Sequence, residues 1–198
     1  CQQIGSLAMA AILLYTAPAF VVLLSALLWR EKVTGRKLAA LVLAFLGCVF
    51  VSGILQGGLA LSPLGLILGV ASGFFYGLYS IFGRYALAHY QPLTVTYYTF
   101  LFAGLGSLPL LRVEEVGPAL ESLPLLGSAA GLVIVATVLP YLFYTRGLAR
   151  VDSGRASILA SVEPVVAALV GVVAFGEPLS WGVVLGLGCI LTTVYLLR

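Results

Sequence analysis

The chain has 198 residues, of which 62% are hydrophobic and 9% charged, and its mean hydropathy is +1.15. That leaves too little polar surface to cover a water-soluble globule of this length, so the sequence reads as a membrane protein. The formal net charge of +3 says less than the places where the charges fall.

A bilayer core needs about 20 apolar residues per helical crossing. Seven continuous apolar runs meet that need, at residues 4–28, 36–55, 63–88, 93–111, 124–145, 155–175 and 179–197. They lack the alternating polarity of a transmembrane barrel, which predicts an all-α polytopic fold with no segment left for a soluble domain. The first residues, CQQIGS, show no initiator methionine and no secretory signal pattern, and the chain is expected to start partway through a longer protein. Arg30, Lys32, Arg36, Lys37, Arg84, Arg146, Arg150, Arg155 and Arg198 all follow odd-numbered runs, against Arg112 alone on the other side. The positive-inside rule then predicts a cytoplasmic Trp29–Lys37 loop and C-terminus, with Glu114, Glu115, Glu121 and Glu177 outside. These basic loops read as topology signals in contact with lipid headgroups rather than as a nucleic-acid surface.

The first run carries Tyr15, Thr16 and Pro18 near its middle and ends at Trp29 with a charged tail. It has a twin. At an offset of 146 (164 minus 18), Ala10, Ile12, Leu13, Pro18, Leu23 and Glu31 fall on Ala156, Ile158, Leu159, Pro164, Leu169 and Glu177 without a gap. A mid-helix proline and a terminal glutamate are matches that apolar composition alone rarely produces, so an internal duplication is inferred. The twins lie five crossings apart, an odd number, which predicts inverted repeats meeting at a substrate site near the midplane. Residues 1–58 then hold the last two helices of a first repeat and residues 59–198 a complete second repeat of five. Since 62 minus 146 is −84, about three helices are expected ahead of residue 1, giving ten in all.

The third run opens with Ser62 and Pro63, a hydroxyl cap and a first-turn proline. Gly65, Gly69, Gly73 and Gly77 follow at four-residue spacing, a strip that serves either packing inside the bundle or a homodimer seam. Beside it, Ser72, Tyr76, Tyr79 and Gly83 form a polar and aromatic line predicted to face an internal cavity. The fourth run carries Thr94, Tyr97, Tyr98 and Thr99, and ends near Pro109 and an acidic loop from Arg112 to Pro124. The fifth holds Thr137, Pro140, Tyr141 and Tyr144, with a proline kink expected at Pro140 as at Pro18 and Pro164. Asp152 or Ser153 caps the sixth, whose Gly154, Ser157, Ser161, Pro164 and Ala168 make a small, polar face.

Glu163 is the one acidic side chain at the centre of a run. A carboxylate there costs several kcal/mol unless protonated, paired or wet. Two accounts stand: proton coupling or attraction of a cationic group, or a hydrogen-bonded carboxyl closing a packing contact. Tyr15, Tyr76, Tyr79, Tyr141 and Tyr144 are its candidate partners, and with Thr16, Ser157, Ser161 and Glu163 they form the candidate solute site. No arginine or lysine lies at mid-run, which argues against phosphorylated solutes in that site and for neutral, zwitterionic or cationic ones. No protease, hydrolase or ATP-binding motif is present, and His89 sits in a loop without a nucleophile. Cys1, Cys48 and Cys189 suggest neither a disulfide framework nor a metal site. No cofactor, metal or catalytic residue is therefore expected.

The segments ASILASVEPVVAALVGVVAFGEPL, Ala156 to Leu179, and YTAPAFVVLLSALLWREKVTGRKLAALVLAFLGCVFVSG, from Tyr15, resemble the closing parts of the two repeats of EamA-type permeases in the drug/metabolite transporter superfamily. The resemblance implies ten helices in two inverted five-helix repeats, a central cavity, and movement of small metabolites. It makes Pro18 and Pro164 the mid-helix prolines, and Glu31 and Glu177 the structural glutamates closing those helices. The expectation is a secondary transporter and not an enzyme, working by alternating access in a bacterial cytoplasmic membrane and exporting small organic metabolites: amino-acid-like, neutral or cationic solutes, or drugs. An intramembrane enzyme acting through Glu163 and a helical assembly or sensor subunit are the alternatives.

Overall fold

A computed structural model describes residues 12–52, 63–111, 122–176 and 178–198. Ser62, the Arg112 to Glu121 part of the acidic loop, and Glu177 lie outside them. The described residues form seven helices: α1 (Ile12–Trp29), α2 (Gly35–Val51), α3 (Pro63–Ala86), α4 (Pro92–Leu110), α5 (Leu123–Leu148), α6 (Ser153–Phe175) and α7 (Trp181–Leu196). Five of them, α1 and α3 to α6, are long and apolar enough to cross a membrane. The fold is all-α and polytopic, and each apolar run of the sequence contains one helix.

The 146-residue offset reappears in the backbone. Helix α1 is interrupted at Tyr15–Thr16 and resumes over Ala17–Trp29; α6 is interrupted at Ser161–Val162 and resumes over Glu163–Phe175. Each then ends in a left-handed residue, Arg30 (φ 54°) and Gly176 (φ 68°), whose amides donate to the carbonyls of Ser25 and Gly171. Glycine takes that conformation freely, whereas Arg30 bears a cost of about 1 kcal/mol. Thr34 and Ser180 next cap α2 and α7, accepting from the amides of Lys37 (3.2 Å) and Val183 (3.3 Å). Every pair is 146 positions apart.

The described helices fall into two compact units, residues 1–82 with 151–198, and residues 83–150. In the larger unit α2 and α7 lie antiparallel against each other at backbone contact. A Cβ on Gly47 would stand 2.9 Å from Ile190 and 3.2 Å from the Gly186 carbonyl, and one on Gly182 would strike the Phe50 carbonyl. At the symmetry-related place, the hydroxyl of Thr193 donates to the Ala40 carbonyl at 3.2 Å. Ala40 and Gly186 are equivalent under the offset, as are Gly47 and Thr193, so the interface repeats itself about a pseudo-twofold. In lipid, where apolar surface gains nothing by leaving hydrocarbon, such closeness is the source of helix association. The strip on α3 works alike: a Cβ on Gly69 would collide with Leu13, one on Gly73 with the Thr16 hydroxyl and Leu13 carbonyl, and one on Gly77 would crowd Ala17. Along these three glycines the strip seats α1 of its own chain.

The smaller unit pairs α4 with α5. The buried Thr96 hydroxyl donates to Thr145 at 3.3 Å, Thr145 donates to the Tyr141 carbonyl, and Arg84 donates to the Leu148 carbonyl at 2.9 Å. Helix α5 widens to π-helical geometry over Leu132–Val138, where Thr137 donates to Leu132 five residues back. Pro140 follows at once. It has no N–H and would crowd the carbonyl four residues earlier, and the wider turn relieves both effects.

Gly186→Leu should destabilise the protein by about 1–3 kcal/mol through overpacking. Gly188→Leu, which meets nothing within 4 Å among the described residues, should leave stability near native. Unfolding of purified protein in detergent by denaturant titration compares the two.

Candidate functional site

The two helix breaks fall at Tyr15–Thr16 and Ser161–Val162, the latter near the middle of α6. Pro18 and Pro164 stand two residues beyond and cannot donate to the ladder. The turns close instead through tight bonds to the third residue back: Thr16 to Leu13 at 3.2 Å, Ser161 to Ile158 at 3.1 Å and Val162 to Leu159 at 3.2 Å. The Thr16 hydroxyl adds a bond to the Leu13 carbonyl at 2.6 Å. In a bilayer the freed backbone must be re-satisfied within the protein, and these contacts do part of that.

Glu163 is the first residue of the second half of α6, where the aligned amides of the opening turn favour negative charge. The side chain is exposed, and among the described residues it has neither a hydrogen-bond donor nor a counter-ion. Tyr15 lies close enough to feel Glu163, Cys48 and Tyr76 electrostatically. Tyr15 on α1 is thus within electrostatic reach of Glu163 on α6 and of Tyr76 on α3. Ser157 and Ser161 are buried on α6, Thr16 has its hydroxyl engaged, and Tyr79 is half-buried on α3. Tyr141 and Tyr144 belong to the other unit, where Tyr141 packs edge-on against Phe100 at 5.2 Å. Under the offset, Ala17 occupies the place of Glu163, so the acid occurs in one copy only.

A second polar centre, which the sequence did not announce, lies at the basic end of the helices. Lys37 on α2 is buried and donates to Glu31 at 3.1 Å and to Asp152 at 2.7 Å, 115 residues away. Glu31 also accepts the Ser153 amide at 3.2 Å, and Asp152, the cap of α6, accepts the Arg155 amide at 2.9 Å and pairs with its guanidinium at 3.3 Å. Gly154 makes room: a Cβ there would lie 2.6 Å from the Lys37 ammonium and 3.1 Å from Val22. Burial pushes the Asp152 carboxyl upward, but the Lys37 bond, the Arg155 amide and the two positive charges outweigh it and hold the group below its ordinary value. The network ties the Glu31–Lys37 segment to the start of α6. Asp152 was legible as a cap and Glu31 as a repeated residue, but no local signal links Lys37 to either partner across the chain.

The chain belongs to the EamA-like transporter family, whose profile matches residues 1–53 and 63–198. An uncharacterized transporter of Archaeoglobus fulgidus is 32% identical over 189 residues, covering 94% of this chain and 66% of the relative. The chain thus spans about two thirds of that relative's length. The threonine/homoserine exporter RhtA of Escherichia coli K12 is 30% identical over 150 residues, covering 76% of this chain and 50% of the exporter. A solved crystal structure superposes with a TM-score of 0.78 at 21% identity, covering 98% of this chain and 68% of the other, which establishes the shared fold. With its apolar helices and these relatives, the chain is an integral membrane protein.

Lys37→Met should leave Glu31 and Asp152 without their shared cation and cost about 1–3 kcal/mol, less than a fully buried pair because Asp152 is partly exposed. Since the folded Asp152 titrates below its unfolded value of 3.8, its contribution is present above that pH and lost as pH falls through the lower, folded value. Thermal unfolding from neutral to acid pH should show this loss in the native protein and lack it in Asp152→Asn.

Proposed function

We propose that the protein is a secondary transporter of small organic solutes that works by alternating access, its solute site lying at the mid-membrane break of α6 beside Tyr15 and Tyr76. One observation carries this reading: a carboxylate without a partner among the described residues stands at the opening of a half-helix, halfway along an apolar span. Keeping a charge there is costly, and proton relays and cation sites are the uses that repay it. Glu163 binds a proton or the cationic group of the solute, Tyr15 and Tyr76 supply hydroxyls and ring faces, and the broken helices let the site open to either side. Ser157, Ser161, Thr16 and Tyr79, all in the same unit, are further candidates for the wall.

The two copies sharing an offset of 146 support an inverted duplication with a ten-helix whole, in which residues 1–58 and 59–198 belong to different repeats. The predominance of basic residues at one end supports a C-terminus in the cytoplasm of a bacterial inner membrane. Similarity to a threonine/homoserine exporter makes amino-acid-like solutes the first to test, in the export direction.

The test is flux of a labelled amino-acid panel through vesicles holding the full-length protein, with and without a pH gradient, for native protein and Glu163→Gln. The native protein should show saturable, gradient-dependent flux. The variant should lose that dependence, with gradient-driven flux lower by about tenfold or more. Unchanged coupling in the variant would remove Glu163 from this role, and flux that never saturates would point to a channel.

A further inference from the structure

The basic end of the larger unit is concave. A cavity of about 730 Å³ opens there between the start of α2, the start of α6 and the end of α7. Its lining contains two side-chain carboxylates: Glu31 is engaged by Lys37, and Asp152 by Lys37 and Arg155. Two negative and two positive charges thus cancel within the wall. Three further cations line the same cavity, Lys32, Arg36 and Arg198, and none has an ion-pair partner among the described residues. The positive charge left over is therefore concentrated in a hollow that both copies build, instead of being spread along a flat surface.

The surroundings narrow the ligand. The first turn of α2, residues Gly35 and Arg36, forms part of the wall and presents the positive end of a helix dipole. Arg36 and Arg198 offer planar donor forks, which match tetrahedral oxyanions, and Lys32 adds a mobile ammonium. Leu196 and Leu197 supply an apolar side. All of this sits at the ends of apolar helices, one of which, α6, is long enough to cross a membrane, and away from the helix break in the middle of α6. The absence of cations at mid-span, which disfavours phosphorylated solutes in the solute site, does not apply here.

We propose that this hollow is a phosphate-binding site, distinct from the solute site, which takes a phosphate group of net negative charge presented by an anionic lipid headgroup or by a soluble phosphate compound.

The full-length protein serves for the test, with its thermal unfolding midpoint as the readout. One arm compares nanodiscs of phosphatidylcholine alone with nanodiscs containing phosphatidylglycerol; the other titrates inorganic phosphate into protein in neutral detergent, against sodium chloride of equal ionic strength. The variants are Lys32→Ser/Arg36→Ser, Arg198→Ser, and Arg146→Ser/Arg150→Ser, which removes two basic charges outside the hollow. Lys32, Arg36 and Arg198 are exposed, and the variants should match native protein in phosphatidylcholine. Phosphatidylglycerol should raise the native midpoint by about 2–4 °C, equally in the Arg146/Arg150 variant, and little in the two hollow variants. A response to the lipid alone identifies a headgroup; the same variant pattern with inorganic phosphate identifies a soluble source. The proposal is overturned if neither probe shifts the native protein, or if the Arg146/Arg150 variant loses the response as fully as the hollow variants do.

Discussion

Hydrocarbon offers no hydrogen bonds, so every backbone amide and carbonyl in a membrane span must find its partner inside the protein. The irregular features of this fold are answers to that constraint. Pro18 and Pro164 each remove a donor near mid-span, and the turns before them close through bonds to the third residue back. Thr16 adds its own hydroxyl. Pro140 is accommodated differently, by a run of wide turns whose Thr137 hydroxyl reaches five residues back.

The same constraint explains how the helices associate. With no hydrophobic gain to be had between two apolar helices in lipid, attraction must come from closeness. Glycines at positions 47, 69, 73 and 186 supply it by leaving no Cβ in the way. The interface of α2 with α7 repeats itself under the offset of 146, the same backbone approach occurring at each of its two ends. Side chains have diverged where backbone has not. Arg30 stands in the left-handed position that Gly176 fills without cost, Val183 stands where Lys37 carries the ion network, and Ala17 stands where Glu163 carries charge.

Much of this was legible in the chain. The seven runs located the helices because span length is set by bilayer thickness, a constraint that acts on consecutive residues. The offset of 146 could be read because proline and glutamate are rare within apolar runs. Other features were not legible for an equally physical reason. Lys37 looks like any basic residue in a loop, and its two carboxylates, one 115 positions away, become its partners only once α2 and α6 are packed. The glycine strip on α3 announced a close neighbour but not which one. A proline in α5 announced irregularity, but whether the helix would bend or widen depended on Thr137 and the turns before it.

The wide segment of α5 has a consequence for how that helix meets its surroundings. A π-helical turn takes up more residues than an α-helical one, so side chains past Val138 are rotated about the axis relative to the positions an unbroken α-helix would give them. Leu123–Gly131 and Leu139–Leu148 are thus out of phase. A stripe of residues that is continuous in a helical-wheel drawing of α5 is divided in space, and its two ends look in different directions. One helix can in this way turn a polar face to the protein at one depth and an apolar face to lipid at another, without any bend in its path being needed.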